Sequence, residues 1–175
     1  VDDDFNSGTP GWGVDHFATI QNGVNAVDAG GTVNVAAGTY VEDNILIGQG
    51  MTVQGAGVGS SIIDASASAA TGSVVKINIA SGNVLFDGFT IKTGTSLNGI
   101  APYSSSSGST ITISNNKIDG FGPTATGDNF GLIAGYGSAA SLVFTYNDIT
   151  NCCSNTILLE RHVGATDVSY NTFDR

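Results

Sequence analysis

Short runs in which apolar residues alternate with polar ones recur along this chain, and six of them align as octads. They are VNVAAGTY from Val33, MTVQGAGV from Met51, VLFDGFTI from Val84, ITISNNKI from Ile111, LVFTYNDI from Leu142 and TDVSYNTF from Thr166. The third and eighth places are apolar in every octad, and the first is apolar in all but the last. Successive side chains of a strand point to opposite faces, so places one and three share a face, and that face is the buried one. Place eight resumes the inward direction after a short turn. That turn carries Gly38 in the first octad and Asn116, Asn147 and Asn171 in three others. Gly and Asn take positive φ most readily, so a sharp bend is expected at this position. Stacking such coils places the three asparagines above one another, where their amides can hydrogen-bond along the stack as a ladder.

Octad starts are separated by 18, 33, 27, 31 and 24 residues, an uneven spacing whose average is one solenoid coil. Between octads lie VVKINI from Val74, NGIA from Asn98, FGLIA from Phe130 and TILLE from Thr156, each suited to be the return strand that closes a coil. The variable length falls in segments such as Ser104 to Ser109 and Gly122 to Asn129, which read as exposed loops. The expected fold is all-β: a right-handed parallel β-helix solenoid of about five to six coils with an N-terminal amphipathic capping helix. An antiparallel sandwich also consists of short strands and Gly-rich turns, but it does not account for one Asn-bearing turn following the same apolar pair in coil after coil.

The segment GGTVNVAAGTYVEDNILIGQGMTVQGAG from Gly30, followed by SIIDA from Ser61, resembles the opening coils of the pectin-lyase-like superfamily of right-handed parallel β-helices. The resemblance extends from Phe17 onward. It implies the fold much more strongly than an activity, because that superfamily includes lyases, glycoside hydrolases, epimerases, adhesins and phage tail proteins.

The two ends differ. Residues 1–14 read as an N-terminal arm, 15–31 as the capping helix and 32–175 as the solenoid. In the helix Asp15 is the expected N-cap, Phe17, Ile20, Val24 and Val27 form the apolar stripe, and Gly30-Gly31 is the stop. Trp12 is expected to pin the arm against the first coil. Val1 opens the chain without a Met or a basic-then-apolar leader, which suggests a mature or excised form. At the other end the last octad is followed only by Asp174-Arg175. The final coil is thus expected to be uncapped, and to be covered either by the remainder of a longer chain or by other copies of itself.

Composition narrows the partners. Charged residues are only 11% of the chain, and 15 acidic against 5 basic residues give a formal net charge of −10, which disfavours nucleic acid and anionic membrane surfaces. No segment is long and apolar enough to be a membrane span. A surface made soluble by Ser, Thr, Asn and Gly suits an extracellular or cell-surface location. The adjacent Cys152-Cys153 pair cannot close a loop with each other, which leaves one buried thiol, an intermolecular bridge or a strained vicinal disulfide.

Chemistry is sparse. On the outward places two and four of the octads the carboxylates are Asp87 and Asp167, three coils and roughly 14 Å apart, wider than the about 5 to 10 Å of glycoside hydrolysis. Lys117 and Asp148 occupy the same place in successive octads and are expected to form a surface ion pair. The densest mixed cluster is Glu160-Arg161-His162, the catalytic candidates, which converge only if their strand ends there. His16, in the first turn of the expected helix, reads as structural or exposed. Tyr103, Tyr136 and Asp128 are candidate glycan contacts in or near loops, with Phe121 a further loop aromatic. Asp2-Asp3-Asp4 reads as a solvated tail or as a Ca²⁺ site, the one cofactor considered. The function expected is a non-catalytic extracellular scaffold, adhesin or self-assembling subunit that contacts polysaccharide. The alternative is a polysaccharide lyase or glycoside hydrolase, or the N-terminal part of one.

Overall fold

The computed structural model describes residues 1–94, 97–120, 130–135, 138–151 and 155–174. One short helix, α1 (Ile20–Ala26), precedes the strands. The first rung is β1 (Thr32–Val35), β2 (Gly38–Tyr40) and β3 (Ile45–Ile47), and the second is β4 (Met51–Gly55), β5 (Ser61–Asp64) and β6 (Gly72–Ile79). The third is β7 (Val84–Asp87), β8 (Phe89–Lys92) and β9 (Leu97–Ser104), and the fourth β10 (Thr110–Ser114), β11 (Lys117–Asp119) and β12 (Phe130–Gly135). A fifth follows with β13 (Ser141–Thr145), β14 (Asp148–Thr150) and β15 (Asn155–Glu160), and a sixth has β16 (Thr166–Ser169) and β17 (Thr172–Phe173).

Each strand pairs in parallel with its counterpart one rung away, giving sheets β1-β4-β7-β10-β13-β16, β2-β5-β8-β11-β14-β17 and β3-β6-β9-β12-β15. This is a three-sided parallel β-solenoid. Its third sheet has five strands, hence four complete turns between β3 and β15, slightly fewer than the five to six coils expected.

Alternation within strands and parallel register between them place equivalent apolar side chains in columns. Val33, Val53, Phe86, Ile113, Phe144 and Val168 stack in the first sheet. Tyr40, Ile63, Ile91, Ile118, Ile149 and Phe173 stack in the second. The first five members of each column are buried, and each buries side-chain surface worth about 1.5 to 3 kcal/mol. The sixth members, Val168 and Phe173, are 39% and 46% exposed.

The register corrects two octads. Val33 pairs with Val53 and not with Met51, so the first octad is displaced by two residues. In the second, β5 starts only at Ser61, and Ile63 fills the inward position expected for Val58, which is 51% exposed. Residues 56–60 are thus an insertion at the bend. The positive φ also falls one residue earlier than expected, on Gly88 (84°), Asn115 (53°), Tyr146 (57°) and Tyr170 (57°). The bend therefore precedes the asparagines, whose task is to bond the peptide groups that the bend exposes.

The cap is shorter than the sequence suggests. Thr19 is the N-cap, its hydroxyl accepting from Asn22 N–H at 3.3 Å, and Asp15 and Phe17 lie ahead of the helix. The Glu42 carboxylate accepts from Ile20 N–H (2.6 Å) and Gln21 N–H (3.0 Å), satisfying two helix-terminal donors from the loop after β2. Ile20 and Val24 are buried, and α1 packs on β1 and β3.

Candidate functional site

Among the described residues, the asparagine column is the most highly bonded polar feature of the interior. Asn116 N–H and Nδ2 both donate to Asn147 Oδ1 (3.0 and 3.1 Å), and Asn147 N–H and Nδ2 both donate to Asn171 Oδ1 (2.8 and 3.1 Å). Asn116 Oδ1 accepts from Phe89 N–H at 3.0 Å, extending the chain of amides to the third rung. The remaining donor capacity goes to carbonyls: Asn147 Nδ2 to Ile113 O and Thr145 O, and Asn171 Nδ2 to Phe144 O. In the second rung the equivalent position is Ser61, whose hydroxyl donates to Ala36 O (2.8 Å) and accepts from Ala56 N–H (2.8 Å). The column holds the bend shut from rung to rung.

Just outside it, Asp87 is gripped by its neighbours. Its carboxylate accepts from Gln54 Nε2 (2.7 Å), Ser114 Oγ (2.7 Å) and Asn115 Nδ2 (2.6 Å), tying three successive rungs together. Burial raises the Asp87 pKa, but these three bonds together outweigh it and hold the carboxyl below its ordinary value. Asp167 lies three rungs away and one column over, opposite Val143. The first-sheet strands therefore do not bring Asp87 and Asp167 together.

Lys117 and Asp148 are register partners, yet no ion pair forms between them; among the described residues Lys92 pairs with Asp64 (3.4 Å), and His16 Nδ1 is hydrogen-bonded to Asp15 Oδ1 (2.7 Å). Both side chains are half-buried on the outer face, where a solvent-facing ion pair gains little. Asp64 is held below its ordinary pKa first by Ser66 Oγ, against burial, with Lys92 assisting.

The strand carrying the catalytic candidates does end at Glu160, and Arg161 follows with φ 54°. Glu160 is half-buried, Arg161 is exposed, and both ring nitrogens of His162 are buried without a hydrogen-bond partner among the described residues. Tyr103 is half-buried on β9, in register with Asn78 of β6. Tyr136, Asp128, Phe121, Cys152 and Cys153 lie outside the described residues.

The acidic N-terminal run is not a solvated tail. Ala36 N–H donates to Val1 O (2.8 Å), Asp2 N–H donates to Phe17 O (3.0 Å), and Thr39 N–H donates to Asp3 Oδ2 (2.9 Å). Asp3 thereby occupies the open edge of β2, while Asp2 Oδ1 accepts from Asp4 N–H (3.1 Å). The arm is pinned by these bonds; Trp12 itself is 39% exposed. Among the described residues no three His, Cys, Asp or Glu side chains group as metal ligands do. Asp3 and Glu42 were not legible as capping groups, because their partners are 36 and 22 residues away.

No helix among the described residues is long and apolar enough to cross a membrane. Comparison with protein-family models, curated proteins and solved structures finds no match.

Proposed function

We propose that this chain is a non-catalytic scaffold module of an extracellular or cell-surface protein, a rigid spacer built by stacking. The observation that carries the proposal is the axial amide chain from Phe89 N–H through the buried Asn116 and Asn147 to the half-buried Asn171, beside apolar columns buried through their first five members. Bonds parallel to the axis resist separation of the rungs, and a mostly uncharged outer surface suits a structural part. The same reading gives the exposed Val168, Tyr170 and Phe173 of the sixth rung a role as the seat of a next rung, from further chain or a second copy.

Size analysis at several concentrations, with electron microscopy, tests the second-copy form. Concentration-dependent rods support it, and a monomer throughout removes it while leaving the spacer. Incubation with uronate and neutral polysaccharides tests the non-catalytic claim. New unsaturated or reducing ends that disappear in Arg161→Ala or His162→Ala would replace the scaffold with an enzyme.

A further inference from the structure

The N-terminal arm does more than seal an edge: between it and the outer face of the first sheet lies a cleft of about 420 Å³. Phe5, Asp15, His16, Asn34 and Gln54 line it. We propose that this cleft is a binding site for one neutral hexopyranose unit, an assignment independent of the scaffold role.

The side chains are oriented in advance. The 11–16 loop folds on Gly11 O, which accepts from the N–H groups of Val14, Asp15 and His16. Gly11 has φ 81°, and a Cβ there would collide with Asp15 Oδ1 and His16 Nδ1, so glycine is required where the pair forms. Asp15 Oδ1 meets His16 Nδ1 at 2.7 Å, leaving His16 Nε2 and Asp15 Oδ2 without a partner among the described residues. The Phe5 ring packs against the imidazole with centroids 4.7 Å apart. Gln54 Nε2 is held by Asp87 Oδ1, which fixes the amide and leaves Oε1 free. Asn34, one rung away in register, is exposed, and its side-chain amide has no hydrogen bond among the described residues.

One cleft therefore offers a carboxylate oxygen, an amide oxygen, a complete amide, an imidazole nitrogen and an aromatic ring. Neighbouring ring hydroxyls both donate and accept, and the C–H face of a pyranose packs on aromatic carbon, so this set matches a sugar and not a flat apolar ligand. The charged groups at the cleft are the carboxylates of Asp2 and Asp15 and the Val1 ammonium, which is already engaged by Asn34 O at 2.7 Å, so the two carboxylates outweigh the one cation and disfavour uronates and other anions. A second lobe of about 250 Å³ adjoins it and shares Val1, Asp15 and Asn34, with Val14, Phe17 and Val27 on its walls. It accommodates an apolar substituent such as an acetamido methyl.

The test is titration of the folded protein with N-acetylglucosamine, methyl galactopyranoside, methyl mannopyranoside and galacturonate, following the His16 ring and Asn34 side-chain resonances by NMR. At least one neutral sugar is expected to shift both with millimolar saturation, the affinity normal for a small polar ligand, while galacturonate does not. Asn34→Ala and Asp15→Asn should each weaken binding about tenfold, the loss expected for one good polar contact, with unchanged thermal unfolding. The proposal is overturned if no neutral sugar shifts these resonances. Equal binding of galacturonate overturns it too, as do His16 ring shifts that saturate at an unchanged sugar concentration in both folded variants.

Discussion

Replacing Asn147 with alanine should be among the most damaging single changes outside the apolar columns. Asn147 is 2% exposed. Its side chain accepts from Asn116 N–H and Nδ2 and donates to Ile113 O, Thr145 O and Asn171 Oδ1. Alanine removes all of these and strands the Asn116 N–H in the interior. A buried donor left without a partner costs about 1 to 3 kcal/mol, and the other bonds add about 1 kcal/mol each with incomplete additivity. The expected loss is about 3 to 5 kcal/mol. The Asn171→Ala change should cost less, about 1 to 2 kcal/mol, because that side chain is only half-buried and stands at the end of the amide chain. Urea unfolding of the two variants reads the difference as a shift in midpoint at constant slope. A loss below about 0.5 kcal/mol for Asn147→Ala would show that the ladder does not hold the stack.

Other consequences follow from single residues. The Asp87 carboxyl is held below its ordinary pKa, so its contribution is present above the unfolded value near 3.9 and is lost as pH falls through the lower folded value. Asp87→Ala should flatten the acid limb of a stability-against-pH curve, and an unchanged limb would contradict the network. Tyr40 is 1% exposed and its phenol is pushed up to about 12, first by burial and then by Asp3 and Asp2. Its stabilisation is therefore complete below the ordinary value of 10 and lost between that value and about 12; ultraviolet titration should show a late-ionising component that is absent in Tyr40→Phe. Gly164→Ala should cost about 2 kcal/mol or more by thermal melting, because the added Cβ meets Ala140 O, whereas Gly48→Ala, with nothing within 4 Å of a Cβ, should be close to neutral. Equal effects would refute the close approach at Gly164.

Much of the solenoid is written locally. From Val84 onward the octads align as they pair, because each has its inward residues at the same offsets and its bend at the same place. The first two were misplaced for physical reasons. A run such as TVNV keeps the same faces under a two-residue slip, so alternation alone cannot choose between Met51 and Val53 as the partner of Val33. The 56–60 insertion likewise hides where inward alternation resumes. Tyr146 and Tyr170 at positive φ defied propensity because the stacked bend overrides it; their rings stack 4.9 Å apart and nearly parallel. The arm and its cleft were illegible because Asp3, Asp15 and Asn34 acquire their surroundings only when distant segments meet.

The measurement that bears most directly on the stack is a set of spin-label distances along one outward column, in a background with Cys152 and Cys153 replaced by serine. Thr32, Thr52, Leu85, Thr112, Val143 and Asp167 succeed one another in register on the first sheet. Rungs about 4.8 Å apart place the backbones of Thr32 and Asp167 roughly 24 Å apart, and those of Thr52 and Asp167 roughly 19 Å apart. Labels at these pairs, and at pairs one rung closer, should give distances that shorten by a constant step. Distances that do not follow rung number, as in strands joined by antiparallel hairpins, would contradict the solenoid.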